Sequence, residues 1–250
     1  MSVLHRYDEM PASALAIGAH PDDVEFGAGG TLARWAAAGC VVHHLVLTDG
    51  SKGTWDLDAD LAALVATRQE EQRRAAWALG ARGEVRFVDR VDGELADDAA
   101  TRTDVARVIR ELRPAAVFGH DPWRRYRLHP DHRAAGFVTC DAVVAAREPH
   151  VRIGGAEGDL GPWRPSALLL WEADEPDVAV DVTGHTEAKL AALLAHASQH
   201  ESTMAITGAT DADPAAEEAT FRRRVLEKLA TWGCQVGVAH AEAFKLLDDL

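Results

Sequence analysis

The chain has 250 residues, 47% of them apolar, and a formal net charge of −14, a composition that fits one large α/β domain and excludes wholesale disorder. The negative balance argues against a general nucleic-acid binder, which needs a basic face to track phosphates, and against docking on an anionic membrane. No apolar run approaches the roughly 20 residues that span a bilayer, and Met1 to Arg6 lack the apolar core of a signal peptide.

In chain order, residues 14–20 read as a first strand and 27–39 as a helix ending at Gly39. Residues 41–48 form a second strand, followed by the turn-forming run Asp49-Gly50-Ser51-Lys52-Gly53. A helix over 61–79 stops at Gly80, a short third strand covers 84–89, and a helix over 104–112 stops before Pro114. A fourth strand, 115–120, and a helix over 131–147 complete this part. Such alternation implies βαβ crossovers and a mainly parallel, doubly wound sheet covered on both faces. Beyond a loop-rich stretch, 154–165, strands over 167–171 and 178–182 and helices over 186–199 and 214–232 read as continuing the same sheet. The expectation is a single three-layer α/β domain over residues 1–250, its loop-rich C-terminal third completing it.

Cys40, Cys140 and Cys234 are odd in number, far apart and without CxxC spacing, so they read as buried small hydrophobes in a reducing compartment, the cytoplasm. Basic charge rests on 22 arginines against 4 lysines amid abundant alanine, a compositional hint of a GC-rich bacterial genome.

Ligands of open α/β sheets bind beyond the carboxyl ends of the strands. There, after the first strand, stands Ala19-His20-Pro21-Asp22-Asp23-Val24-Glu25, with Pro21 limiting the backbone. His20 and Asp23, three apart in a turn, can converge on one cation, and imidazole with carboxylate suits catalytic zinc. Asp22 points elsewhere and stays uncoordinated. A second cluster, Leu128-His129-Pro130-Asp131-His132-Arg133, follows the fourth strand on the same rim, with His129 and His132 on one face of a first helical turn. Together the clusters offer His, Asp and His and leave a position for water. A strand-end aspartate pair alone is as well explained by a helix N-cap, and a lone histidine by a hydrogen bond; two such clusters on one rim are not.

The segments AHPDDVEFGAGGTLARWAAAG (19–39), TDGSKG (48–53), R-x-x-E-x-x-x-A-x-x-x-L-G (68–80), HPDHRAAG (129–136) and VDVTGHTEAKLAALLAHASQ (180–199), with a weaker AEAF (241–244), resemble the PIG-L, or LmbE-like, family of N-acetylglucosaminyl deacetylases. The resemblance implies a Rossmann-like fold, one zinc bound by His20, Asp23 and His132 (iron(II) suits the same ligands), and a small N-acetylated substrate. It further implies Asp22 as general base, His129 as an assisting acid or oxyanion stabiliser, Asp131 as a partner holding an imidazole, and Arg68 near the substrate. The bland alternative for Arg68 is a solvated helix residue paired with Glu71 or Gln72.

Among weaker candidates for substrate contact are Lys52 in the glycine-bearing loop, Asp92 after the third strand, and Arg124 and Tyr126 in the basic, aromatic run Trp123 to Arg127. A turn aspartate and an exposed loop are the plainer readings of the last three. His196 and Gln199 lie in a matching motif that the sequence cannot place, and at least one of His43 and His44 reads as structural. The expected function is metal-dependent removal of an N-acetyl group from an N-acetylglucosamine-type sugar or small glycoconjugate. The alternatives are an amidase on a non-sugar conjugate and a non-catalytic sugar- or nucleotide-binding module. Assembly into a homo-oligomer is compatible with the sequence.

Overall fold

A computed structural model describes residues 4–155, 158–208 and 213–250; the first three residues of the N-terminal stretch and residues 156–157 of the loop-rich stretch lie outside the described residues. The elements are β1 (His5–Arg6), β2 (Ser13–Gly18), α1 (Asp23–Ala37), β3 (Val41–Thr48), α2 (Leu61–Ala78), β4 (Val85–Arg90), α3 (Ala99–Leu112), β5 (Ala116–His120) and α4 (Pro130–Arg147). A small hairpin follows, β6 (Gly154–Gly155) with β7 (Gly158–Asp159), then β8 (Ala167–Trp171), β9 (Val178–Asp181), α5 (Thr186–Leu194), a 3-10 turn (Ala197–Gln199), a π turn (His200–Met204), α6 (Pro214–Val236) and β10 (Ala241–Leu247).

One eight-stranded sheet runs in the order β1-β9-β10-β8-β5-β2-β3-β4. All its pairings are parallel except those of β10, which lies antiparallel between β8 and β9. The chain is thus the mainly parallel α/β sandwich expected, closed by a C-terminal strand that sequence reading left unassigned. The central strand β2 shows why both faces are covered. Ala14 and Ala16 join one core with Trp35, Phe118 and Phe244, whereas Leu15 and Ile17 join the other with Leu45, Val117 and Ile109. Side chains alternate across a strand, so a strand buried on both sides is apolar at every step. Phe118 packs against Trp35 and Phe244 with ring centroids 5.1 and 5.4 Å apart, in tilted and edge-on geometries that aromatic pairs prefer.

Three boundaries differ for local reasons. Helix α1 begins at Asp23, four residues before the expected start, so the acidic cluster forms its first turn. Helix α3 begins at Ala99 because Asp98 accepts the Thr101 amide at 2.8 Å as an N-cap. The helix expected over 186–199 ends at Leu194 and continues as tighter and wider turns. Of the cysteines only Cys40 is buried; Cys234 is exposed, against expectation, and all three are free thiols. No described helix is long and apolar enough to cross a membrane.

Strands β2, β3 and β4 step toward one edge while β5 lies on the other side of β2. Their divergence opens a crevice beyond the carboxyl ends of β2 and β5, the place where such sheets bind ligands. Both polar clusters of the sequence follow these two strands.

Candidate active site

A cavity of about 650 Å³ occupies that crevice, with His20, Asp22, Asp23, His129 and His132 among its walls. Asp22, at the N-terminus of α1, takes φ 109, a left-handed backbone that a non-glycine residue adopts at a cost of about 1–3 kcal/mol. The strain is held from outside. Gln72 Oε1 accepts the Asp22 amide at 3.1 Å, and the buried Arg68 guanidinium donates to Pro21 O at 2.7 Å and to Gly50 O at 2.8 Å. Asp22 makes no side-chain capping bond, so the N-cap explanation fails for it, and its carboxylate faces the cavity instead. Burial pushes its pKa up to about 6, with Asp23 adding to the rise and Arg68, His196 and His20 opposing it.

Asp23 joins the two clusters. Its Oδ2 accepts the His20 amide at 2.7 Å and lies 3.4 Å from His20 Nδ1, while its Oδ1 lies 3.3 Å from His132 Nε2. Burial works against its charge, but His132 and His120 outweigh that and hold its pKa well below the usual carboxylate range. His20 is held from behind: its Nε2 lies 3.1 Å from Asp131 Oδ2 and 3.1 Å from Asp92 Oδ1. Burial disfavours its cation, yet Asp131, Asp23 and Asp92 raise its pKa well above 6.5. Asp131 is fully buried and also accepts the amides of Gly93 at 2.6 Å and Leu95 at 3.2 Å. It therefore orients His20 and does not itself face the cavity.

The donor set suits a divalent cation. Ligand atoms about 2.0–2.2 Å from a tetrahedral zinc stand about 3.3–3.5 Å from one another; Asp23 meets that spacing with a different oxygen on each side, Oδ2 toward His20 Nδ1 and Oδ1 toward His132 Nε2. Among the described residues three groups lie close enough to share an ion: His20, Asp92 and Asp131; Asp23, His120 and His132; and His20, His129 and His132. The three rings of the latter pack together, with His129 stacked on His132 at 4.6 Å and edge-on to His20 at 4.7 Å. Burial and the fields of His20 and His132 lower the pKa of His129.

Comparison with known proteins agrees with this architecture. The sequence profile described as GlcNAc-PI de-N-acetylase, PIG-L, matches residues 15–143. The chain belongs to the PIG-L family. It is 37% identical over 185 residues to a diacetylchitobiose deacetylase of Thermococcus kodakarensis, covering 74% of this chain and 69% of the relative. It is 31% identical over 263 aligned positions to a 1D-myo-inositol 2-acetamido-2-deoxy-alpha-D-glucopyranoside deacetylase of Kineococcus radiotolerans, covering 80% and 72%. Among solved structures, the N,N'-diacetylchitobiose deacetylase of Pyrococcus horikoshii superposes with a TM-score of 0.81 at 28% identity, over 95% of this chain and 84% of that one.

Within this PIG-L fold the remaining candidates separate. Arg68 is buried, 3.7 Å from Asp22 Oδ2, and is no solvated helix residue. Asp92 contacts His20 and accepts the Lys52 amide at 3.0 Å, so it braces the site. Lys52 lines the cavity but pairs at 3.1 Å with exposed Glu94. Arg124 pairs with Glu172 at 3.3 Å beside a smaller cavity, and Tyr126, 91% exposed, lines neither cavity.

Sequence reading did not single out His120, Trp171 or Glu172, all three of which line the cavity. Their one signal was position, at or just past the carboxyl ends of β5 and β8. Gln199 also lines it and donates to Gly53 O at 3.0 Å. His196 stands behind Asp22 with fully buried Glu25 and His44; His196 Nε2 lies 3.3 Å from Glu25 Oε2, poorly aligned for a hydrogen bond.

Proposed function

We propose that the protein is a metal-dependent N-deacetylase that removes the acetyl group of an N-acetylglucosamine-type sugar, with His20, Asp23 and His132 as the metal ligands. The observation that carries the reading is the Asp23 carboxylate set between His20 Nδ1 and His132 Nε2 on the wall of a cavity that also presents Asp22. A zinc ion there, or iron(II) on the same ligands, supplies Lewis acidity to the acetyl carbonyl and acidifies a water toward a pKa of about 7.

The chain's own groups do the rest. Asp22, pushed up to about 6, is ionised at neutral pH yet close enough to it to accept the proton of the attacking water and return it to the departing amine. His129, with a lowered pKa, is neutral at that pH and offers an N–H to the oxygen on which charge develops. Arg68 holds the Asp22 loop in its strained form and lines the same cavity. Trp55, 73% exposed at the cavity mouth, gives the face of a sugar ring a flat apolar surface. The three free thiols fit a reducing, cytoplasmic setting.

The test is metal analysis with acetate release on a panel of N-acetylglucosaminides, for wild type, Asp22→Ala and His132→Ala. About one divalent metal per chain, lost in His132→Ala, with acetate release lost in both variants, supports the reading. A wild type that takes up no divalent metal sinks it, and metal without turnover of any sugar moves the substrate to another amide.

A further inference from the structure

Asp23 is contacted by three imidazoles, and only two of them belong to the ligand set proposed above. The third, His120, ends β5 and is 1% exposed. Its Nε2 lies 3.2 Å from Asp23 Oδ2, and with Asp23 and His132 it makes a cluster that by proximity alone qualifies as a metal site. The hydrogen-bonding partners on its other nitrogen decide against that. Nδ1 faces the indole Nε1–H of Trp171 at 3.0 Å and an Arg127 guanidinium nitrogen at 3.2 Å. Both are donors with no capacity to accept.

A proton on Nδ1 would therefore confront two donors, so the neutral ring must accept at Nδ1 and carry its proton on Nε2. There the Asp23 carboxylate accepts it at 3.2 Å; the one donor aimed at Nε2 among the described residues, the Ala19 amide, is at 3.5 Å, farther than either donor on Nδ1. A nitrogen that carries a proton has no lone pair for a metal. His132 Nδ1 also lies 3.2 Å from Arg127, but that shared nitrogen is the one donor it meets among the described residues, whereas His120 Nδ1 has the Trp171 indole as well, so His132 is the ring free to move its proton to Nδ1. We infer that His120 is not a ligand but a positioning residue, which holds Asp23 Oδ2 by its Nε2 proton, the place of that proton being fixed by Trp171 and Arg127.

The consequence concerns how Asp23 meets the ion. Oδ2 is engaged by two donors, the His20 amide at 2.7 Å and His120 Nε2, while Oδ1 faces His132 Nε2 at 3.3 Å. The carboxylate cannot rotate without giving up both bonds to Oδ2, and its ligating face is set before an ion arrives. Partners of this kind, bound to a ligand and not to the metal, commonly change metal affinity by about 10–100-fold. The inference rests on the metal-site reading of the preceding subsection, and its test separates the two.

The first measurement uses metal-free wild type with ¹⁵N-labelled histidine, in which long-range ¹H–¹⁵N correlations report the proton position on each ring. The Nε2–H pattern for His120 is expected; an Nδ1–H pattern, or protonation of both nitrogens, overturns the inference. The second compares cobalt(II)-loaded wild type, His120→Gln and His120→Ala, with affinity read by chelator competition and ligation by visible absorption. Gln places an amide donor near the old Nε2, so His120→Gln should keep one cobalt per chain, an unchanged spectrum and most of the affinity. His120→Ala should bind about 10–100-fold more weakly. A changed spectrum or lost stoichiometry in His120→Gln, matching His132→Ala, makes His120 a ligand and overturns the inference. A wild type that takes up no cobalt defeats the metal-site reading instead, and the tautomer measurement still decides the role of His120.

Discussion

The Arg68 guanidinium donates to the carbonyls of Gly50 at 2.8 Å and Pro21 at 2.7 Å, and in the same position lies 3.7 Å from Asp22 Oδ2. One buried side chain thus ties the loop after β3 to the strained turn after β2 and neutralises the carboxylate between them. Arg68→Ala leaves two carbonyls and a buried charge without their partner, and should cost about 3–5 kcal/mol of stability. Arg68→Lys keeps the charge but not the planar fork, and should cost about 1–3 kcal/mol. Urea unfolding checks both; equal stability of the two variants would contradict the double-carbonyl role.

Metal binding and turnover should come apart at Asp22. It faces the cavity but contacts neither His132 nor the Asp23 donor atoms through any hydrogen bond among the described residues. Asp22→Asn is expected to hold its metal, measured by equilibrium dialysis, while kcat falls on the order of 10²-fold or more. His132→Ala is expected to lose the metal itself.

Gly27 lies against the indole of Trp171: a Cβ built there would fall 2.4 Å from Cδ2 and 2.6 Å from Cγ. Trp171 is 1% exposed, so the ring cannot swing into solvent. Gly27→Ala should therefore destabilise the fold by about 1–3 kcal/mol through overpacking and alter tryptophan fluorescence. An unchanged urea midpoint with an unchanged spectrum would rule this contact out as a packing limit.

Lys189 and Glu242 form a buried pair, 2.7 Å apart, docked on the middle of α1. Lys189 Nζ donates to Glu25 O and Phe26 O, and Glu242 accepts the amides of Gly30 and Thr31. Glu242→Ala strands a buried ammonium and two amides, so a loss of about 3–5 kcal/mol is expected. Adding Lys189→Met should make the double variant about 0.5–3 kcal/mol more stable than the sum of the single losses. Strict additivity in thermal unfolding would mean that the two charges are not coupled.

Two buried histidines give opposite pH dependences in adjacent windows. Burial disfavours the His196 cation, but Glu25 and Asp22 outweigh it and raise the pKa, so its stabilisation is complete below the unfolded value of 6.5 and fades as pH rises through the folded one. For His44 burial prevails over Glu25 and lowers the pKa, so stability is lost as pH falls from 6.5 toward the folded value. In His196→Gln the deficit in Tm should shrink as pH rises above 6.5. In His44→Gln it should shrink as pH falls below 6.5. Deficits that stay constant with pH would show that neither ring changes its proton affinity on folding.

Alternation of strands and helices was legible in the sequence because each element has its own short-range period. The runs Ala14 to Ile17 and Leu45 to Leu47, buried on both faces, can only be interior strands of a covered sheet. His20, Asp23 and His132 were legible too, since each lies within a few residues of a strand end or helix start that the local pattern marks. The buried face of α2 was not. It presents Arg68, Glu71, Gln72 and Ala75, a helical spacing written in polar residues, which hydrophobic periodicity cannot detect.

By itself, then, the sequence determined the parallel α/β core and marked two polar clusters, at His20 to Glu25 and His129 to His132, as lying on one rim of it. Tertiary structure alone decided the insertion of β10 between β8 and β9, and the meeting of His120 with Trp171, Arg127 and Asp23. Those four come from different strands, helices and loops, up to 148 positions apart in numbering (Asp23 to Trp171). No local period or motif spans such a distance. Strand order is fixed by which faces pack best across the whole sheet, and that order in turn chooses which strand-end side chains share one crevice.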